Sequence, residues 1–321
     1  MNTIGHKFRL TTFGESHATA MGGIIDGCPS KLFINMDLIH KDLARRQGNS
    51  PYTTARHEPN EVEFLSGIKD GITLGTPIAF MIRNKDCKSQ DYDEMKTLFR
   101  PGHGDYTWQM KYGIRDERGG GRASARETVS WVVAGAIAKQ ILAQSNINIE
   151  ASIDTIGGTK DYTKIIEETQ RNKDTLGGVI NCCITHLPIG LGEPVFDKIS
   201  ARLAQAMMSI PSAIGFEIGC GFEAASMLGS QYIDKWNQDF STQTNHCGGV
   251  QGGITNGMPL CFKVAFHPVV TIPQGITCND AEGNPHWIEP KGRHDCCHVL
   301  RVPAIVEALT AMVILDFELE K

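Results

Sequence analysis

No run of apolar residues in this 321-residue chain is long enough to span a bilayer, and its start, Met1-Asn-Thr-Ile-Gly-His, lacks the charged-then-apolar pattern of a secretory signal. No membrane association is expected, and a cytoplasmic location is. Basic charge is also short: 31 Lys and Arg face 36 Asp and Glu, for a formal net charge of −5. The broad positive field used in non-specific nucleic-acid binding is therefore missing, and no nucleic-acid partner is expected. Neither C-x-x-C nor H-E-x-x-H occurs, so no metal site is expected. The ten cysteines are spread along the chain and include the adjacent pairs Cys182-Cys183 and Cys296-Cys297. Most are expected to be reduced and buried, and catalysis by Cys296 or Cys297 is not expected. A Walker A ending is absent, and no Gly-x-Gly-x-x-Gly follows an obvious first strand, which demotes nucleotide triphosphate hydrolysis and Rossmann-type binding. There is no low-complexity tract or Pro/Ser-rich linker.

Glycine, by contrast, is plentiful at 34 residues and falls in clusters such as Gly119-Gly120-Gly121, Gly248-Gly249 and Gly252-Gly253. An internal match organises part of it. Gly71-Ile-Thr-Leu-Gly-Thr-Pro-Ile-Ala-Phe-Met-Ile82 aligns without gaps on Gly253-Ile-Thr-Asn-Gly-Met-Pro-Leu-Cys-Phe-Lys-Val264. In each copy a turn feeds an alternating run that reads as a strand. A Gly-Arg element follows, Gly121-Arg122 or Gly292-Arg293, and then an apolar helix. The expectation is one domain over 1–321 with an internal repeat, approximately 1–145 and 180–321, and an exposed excursion over about 150–180 between them.

Helical spacing of Val129, Val132, Val133, Ala136, Ile137 and Ile141 predicts a helix over 128–142, buried on more than one side because Ala134, Gly135, Ala136 and Ala138 suit close packing. Ser124 and Glu127 have capping-box spacing before it. Pro303 suits the first position of a second helix carrying Ile305, Val306, Leu309, Met312 and Val313. Leu38, Ile39 and Leu43 predict an amphipathic helix ending at Arg45-Arg46.

Four clusters set reactive side chains beside turn residues: Thr11-Thr-Phe-Gly-Glu-Ser-His17, Arg100-Pro-Gly-His-Gly-Asp105, Gly119-Gly-Gly-Arg-Ala-Ser-Ala-Arg126 and Lys291-Gly-Arg-His-Asp295. The third, a glycine run opening onto a helix start with Arg122 and Arg126 beside it, reads as an anion site. His17 and His103, in loops among small residues, suit proton exchange near neutral pH. Asp295 has three open roles: a base, an orienter of a histidine, or a partner of Arg293. Arg45 and Arg46 are either a basic last turn or an anion contact.

In this order and spacing, the four clusters resemble the chorismate synthase family, together with Ser89-Gln-Asp-Tyr92, Lys111-Tyr-Gly-Ile-Arg-Asp116 and Gly190-Leu-Gly-Glu-Pro-Val-Phe-Asp197. The resemblance implies an α+β fold, a β–α–β sandwich of two pseudo-symmetric halves with helices between antiparallel sheets, assembled as a homotetramer. It implies anti-1,4-elimination of phosphate from 5-enolpyruvylshikimate 3-phosphate to give chorismate, with reduced FMN as cofactor and NADPH as a possible reductant. By the same resemblance, His17 protonates the leaving phosphate, His103 stabilises the anionic reduced flavin, and Asp295 with Ser16 and Ser124 forms a proton relay. FMN contacts would fall on Arg122, Ala123, Ser124, Pro211, Ser212, Gly252, His267, Pro268, Val269, Val270, Thr271 and Arg293. Arg46, with Arg45 and Arg126, would meet NADP or substrate anions. The chain departs from the family pattern at Ala18, Pro51, Pro211-Ser212 and His267-Pro268-Val269; His267 removes a permanent positive charge. Two other readings stay open: a flavin- or anion-binding relative without turnover, and an assembly protein whose glycine loops serve packing alone.

Overall fold

The computed structural model describes residues 1–48, 52–53, 58–86, 96–289 and 295–321. Alternation along its strands, as in Arg9–Phe13 and Leu260–Phe266, turns every second side chain into one core. In the first half, β1 (Thr3–Ile4), β2 (Arg9–Phe13), β3 (Ala20–Asp26), β4 (Val62–Phe64) and β7 (Ile78–Arg83) form an antiparallel sheet of order β1-β2-β3-β7-β4; a small hairpin, β5 (Ile68–Lys69) and β6 (Ile72–Thr73), precedes β7. The second sheet holds β8 (Asn148–Ile156), β9 (Gly178–Thr185), β10 (Ala213–Ile218) and β13 (Leu260–Phe266) in the order β10-β13-β9-β8, again with a hairpin, β11 (Val250–Gln251) and β12 (Ile254–Thr255), before its central strand. A further hairpin joins β14 (Ile276–Asn279) to β15 (Pro285–Ile288).

The two sheets repeat one strand order, with β2, β3, β7 and β4 matching β8, β9, β13 and β10. The likeness extends to single bonds. Thr73 Oγ1 donates to Pro29 O and accepts from Leu32 N–H, while Thr255 Oγ1 donates to Pro188 O and accepts from Leu191 N–H. Strand β8 lies inside the segment expected to be an excursion. Its alternating Ile149 and Ala151 face the core, so only the stretch between β8 and β9, which carries α4 (Thr163–Arg171), projects.

Between the sheets run α3 (Thr128–Leu142) and α7 (Pro303–Glu320), packed on each other, with α1 (Met36–Gln47) and α5 (Ile199–Met207) beside them and α2 (Asp105–Tyr112) at the cavity described below. Each of α3 and α7 lies between a partner helix and a sheet, so its burial is nearly all-round; Ala304 through Phe317 is continuously buried. Glycine permits the contact: a Cβ on Gly135 would lie 2.3 Å from Ala308 Cα. The architecture is the expected α+β sandwich. Pro303 starts its helix as predicted. The capping box does not form: Ser124 caps a 3-10 turn, Ala125–Glu127, by accepting from Arg126 N–H, and Glu127 turns to Arg122 instead.

Seven cysteines among the described residues are free, five of them buried. Cys183 and Cys261 form a disulfide; they face each other across β9 and β13 with Cα atoms 4.3 Å apart. Among the described residues no helix is long and apolar enough to cross a membrane.

Candidate active site

Loops at one end of the sandwich enclose a cavity of about 830 Å³. The first half contributes Glu15, the Gly102–Asp105 turn with Arg100 and Trp108, and the run from Ile114 to Ala123. From the second half come Pro211, Ser212, His267, Val269, Val270, Thr271, Asp295 and His298. Its size and its mix of apolar walls with convergent polar groups suit a small-molecule site.

His103 spans the two halves. One ring nitrogen, Nδ1, lies 3.0 Å from Pro101 O, and Nε2 lies 2.7 Å from Thr271 Oγ1. A carbonyl only accepts, so Nδ1 carries the proton and Nε2 accepts from the threonine hydroxyl. Burial, and then the Arg100 charge, holds this imidazole below its ordinary pKa. His17 lies behind the glycine run: Gly119, at φ +86°, leaves no room for a Cβ, which would sit 2.7 Å from the His17 ring. Ser16 Oγ is 3.0 Å from His17 Nδ1. Asp116 also faces the cavity. Burial pushes its carboxyl up, but the hydrogen bonds and charge of Arg118, with His17, outweigh that and leave it below the usual range.

The arginines read as anion contacts have carboxylate or carbonyl partners within the chain. Arg122 lines the cavity yet donates to Gly14 O, Thr12 Oγ1 and Glu127 Oε1, because a carboxylate buried as deeply as Glu127 needs charge beside it. Arg126 is buried, donating to Asn60 Oδ1 and Asn84 Oδ1, and does not line the cavity. Arg45 grips Glu307 through two bonds of 2.6 and 2.7 Å, and Arg46 braces the start of α3 at Ala125 O and Thr128 Oγ1. The glycine run opens on two 3-10 turns, so α3 begins only at Thr128 and its dipole does not point straight out of Gly119–Gly121.

Asp295 faces the cavity, and Arg301 Nη2 lies 3.0 Å from its Oδ1. Of the sequence-named residues, His103, Arg122, Ala123, Pro211, Ser212, His267, Val269, Val270, Thr271 and Asp295 share this cavity. Ser16, His17 and Ser124 stand directly behind its glycine wall. Gly252 is the turn of the β11–β12 hairpin, and neither it nor Pro268 is among the lining residues. Arg293 and the rest of its motif up to residue 294, the 89–92 segment and Pro51 lie outside the described residues. Sequence reasoning missed His298, whose signal was its position three residues after Asp295; it opens the 3-10 turn His298–Arg301 and lines the same cavity. It also passed over the pairing of half-buried Arg100 with buried Asp105, which carries the His103 turn.

Residues 8–319 match the Chorismate synthase family. The chain belongs to the chorismate synthase family. A chorismate synthase of Christiangramia forsetii is 48% identical, over 99% of this chain and 98% of its own length. One from Cytophaga hutchinsonii is 47% identical over 99% and 97%. Among solved structures, a crystal structure of chorismate synthase superposes with a TM-score of 0.77 at 31% identity, covering 99% of this chain and 93% of that one.

Proposed function

We propose that this chain is a carbon–oxygen lyase that eliminates phosphate and the C6 proton from 5-enolpyruvylshikimate 3-phosphate to give chorismate, with reduced FMN bound in the cavity between its halves. The observation that carries this reading is the meeting of His103, from the first half, and Asp295, from the second, in one cavity, with His17 behind its glycine run. The cavity suits the flavin ring: Trp108, Ile114, Val269 and Val270 offer apolar surface, while backbone and hydroxyl groups remain for its polar edge. Reduced FMN supplies electron density that helps the C–O bond break. His103 stands neutral until an anion arrives; a negative ligand raises the pKa of a facing histidine, so the ring can gain a proton and stabilise it. His17, held by Ser16, gives a proton toward the departing phosphate, and Asp295 with Ser124 serves the proton lost from C6.

NADPH as a reductant, a cytoplasmic location and a homotetramer belong to the same proposal. Large exposed apolar side chains on the second half, Phe196 at 95%, Phe222 at 80% and Phe240 at 73% exposure, favour assembly over a free monomer. The test is chorismate formation from the phosphorylated substrate under anaerobic conditions with chemically reduced FMN. Product is expected, and a folded, flavin-bound protein that forms none would sink the reading. His103→Ala and Asp295→Ala are expected to lower kcat by roughly a hundredfold or more, with unfolding midpoints close to wild type. Wild-type turnover in both would refute the assigned roles.

A further inference from the structure

The cavity wall made by the second half carries a hydroxyl–imidazole pair. Ser212, in the turn between α5 and β10, has φ +71°, and its Oγ lies 2.5 Å from His298 Nε2. The same hydroxyl donates to Pro211 O. A serine has a single hydroxyl proton; with that proton on the carbonyl, His298 must be the donor to Ser212 Oγ. The imidazole is then neutral, protonated at Nε2 and bare at Nδ1. Two observations agree: Nδ1 is buried without a hydrogen-bond partner among the described residues, and burial pushes the pKa of the ring down to about 4. Phe266 holds the ring edge-on, at 6.3 Å between centroids.

This arrangement fixes the direction of the serine oxygen. Ser212 Oγ uses its proton on Pro211 and one lone pair on His298, which leaves one lone pair as an acceptor on a residue that lines the cavity. Ser212 O also accepts from His267 N–H at 3.0 Å, which ties the turn to the strand end leading to Thr271 and His103. We propose that His298 is a positioning residue for the flavin: its Nε2–H holds Ser212 Oγ so that the free lone pair accepts the N3–H of the isoalloxazine ring. The proposal rests on the cavity being the FMN site.

Binding of oxidised FMN, followed by quenching of its fluorescence, tests it, with unfolding midpoints of the ligand-free variants measured alongside. Ser212→Gly, which suits the positive φ, and His298→Ala are each expected to weaken FMN binding roughly tenfold. The double variant should bind no more weakly than either single one, because both remove the same acceptor. His298→Gln, which keeps an N–H donor, should restore most of the affinity. FMN methylated at N3 should bind wild type about as weakly as FMN binds Ser212→Gly. Additive losses, no rescue by Gln, or equal wild-type affinity for FMN and its N3-methyl form would overturn the positioning role. If His298→Ala does not fold, Ser212→Gly and the methylated flavin still decide. Wild-type protein that binds no FMN would overturn the cofactor reading as well, whereas normal FMN binding with unaffected variants overturns only the role of His298.

Discussion

His103 and Thr271 meet across 168 residues of chain and tie the two halves together, while Ser212 and His298 meet across 86 within the second half, so single polar bonds between distant residues hold the cavity wall. Both histidines are kept neutral chiefly by burial, and this has a consequence for stability. His298 falls from an ordinary 6.5 to about 4 in the folded chain. Above pH 6.5 neither state binds the proton; between 6.5 and about 4 the unfolded chain binds it and the folded chain does not. Stability is therefore lost as pH falls through that window, at up to about 1.4 kcal/mol per pH unit. His298→Gln has no such proton, so its unfolding midpoint should decline less between pH 6.5 and 4.5 than that of wild type; equal declines would contradict a buried neutral His298. At this scale the sequence reveals which residues are reactive but not which are free. His17 and His103 stood out through their small neighbours. Arg122 and Arg126 read as an anion site, and Arg45 as a basic last turn or an anion contact, because what neutralises or binds them, Glu127, Asn60 and Asn84, and Glu307, is brought to their side chains by folding.

Among elements, the contact between α3 and α7 decides how closely the two halves approach. Gly135 lies against Ala308, and the added methyl of Gly135→Ala would fall 2.3 Å from both Cα and Cβ of that residue. The helices would have to separate inside a core with no slack, at a cost of about 1–3 kcal/mol or more. This exceeds the roughly 1 kcal/mol that Ala normally gains over Gly inside a helix. Urea unfolding should show a lower midpoint for Gly135→Ala with an unchanged slope; a gain in stability would mean that the helices are not so close. Both helices were legible because small and apolar residues recur at helical spacing and Pro303 marks a start. The strand order of the first half could not be read, since β4 and β7 pair across a hairpin whose partners are set by the sheet. β8 was overlooked because Glu150 and Asp154, on its outer face, give the segment an exposed character although Ile149 and Ala151 point inward.

For the molecule as a whole, the chain ends close the sandwich. Asp316, fully buried near the end of α7, accepts from the backbone amides of His6, Lys7 and Phe8 at 2.8, 2.5 and 2.8 Å and pairs with Arg202 on α5. One carboxylate thus joins the start of the first half to two helices of the second. Nothing local in the sequence pointed to it, because its partners lie 114 to 310 residues away. The hydrophobic core likewise runs without a break from Phe8 to Phe317, so the two halves are expected to unfold together in a single transition. Asp316→Ala would leave three amides without their acceptor and the buried Arg202 with only its longer pairs to Asp197 and Glu320, at a cost of about 3–5 kcal/mol. Asp316→Asn keeps an oxygen for the Lys7 and Phe8 amides but sets an NH2 against the His6 amide and Arg202, so it should fall between. Calorimetry should therefore show one peak in all three proteins, with midpoints in the order wild type, Asn, Ala. A wild-type midpoint in Asp316→Ala would show that the chain ends do not fasten the halves, and two peaks in the unaltered protein would show that the halves do not share one cooperative core.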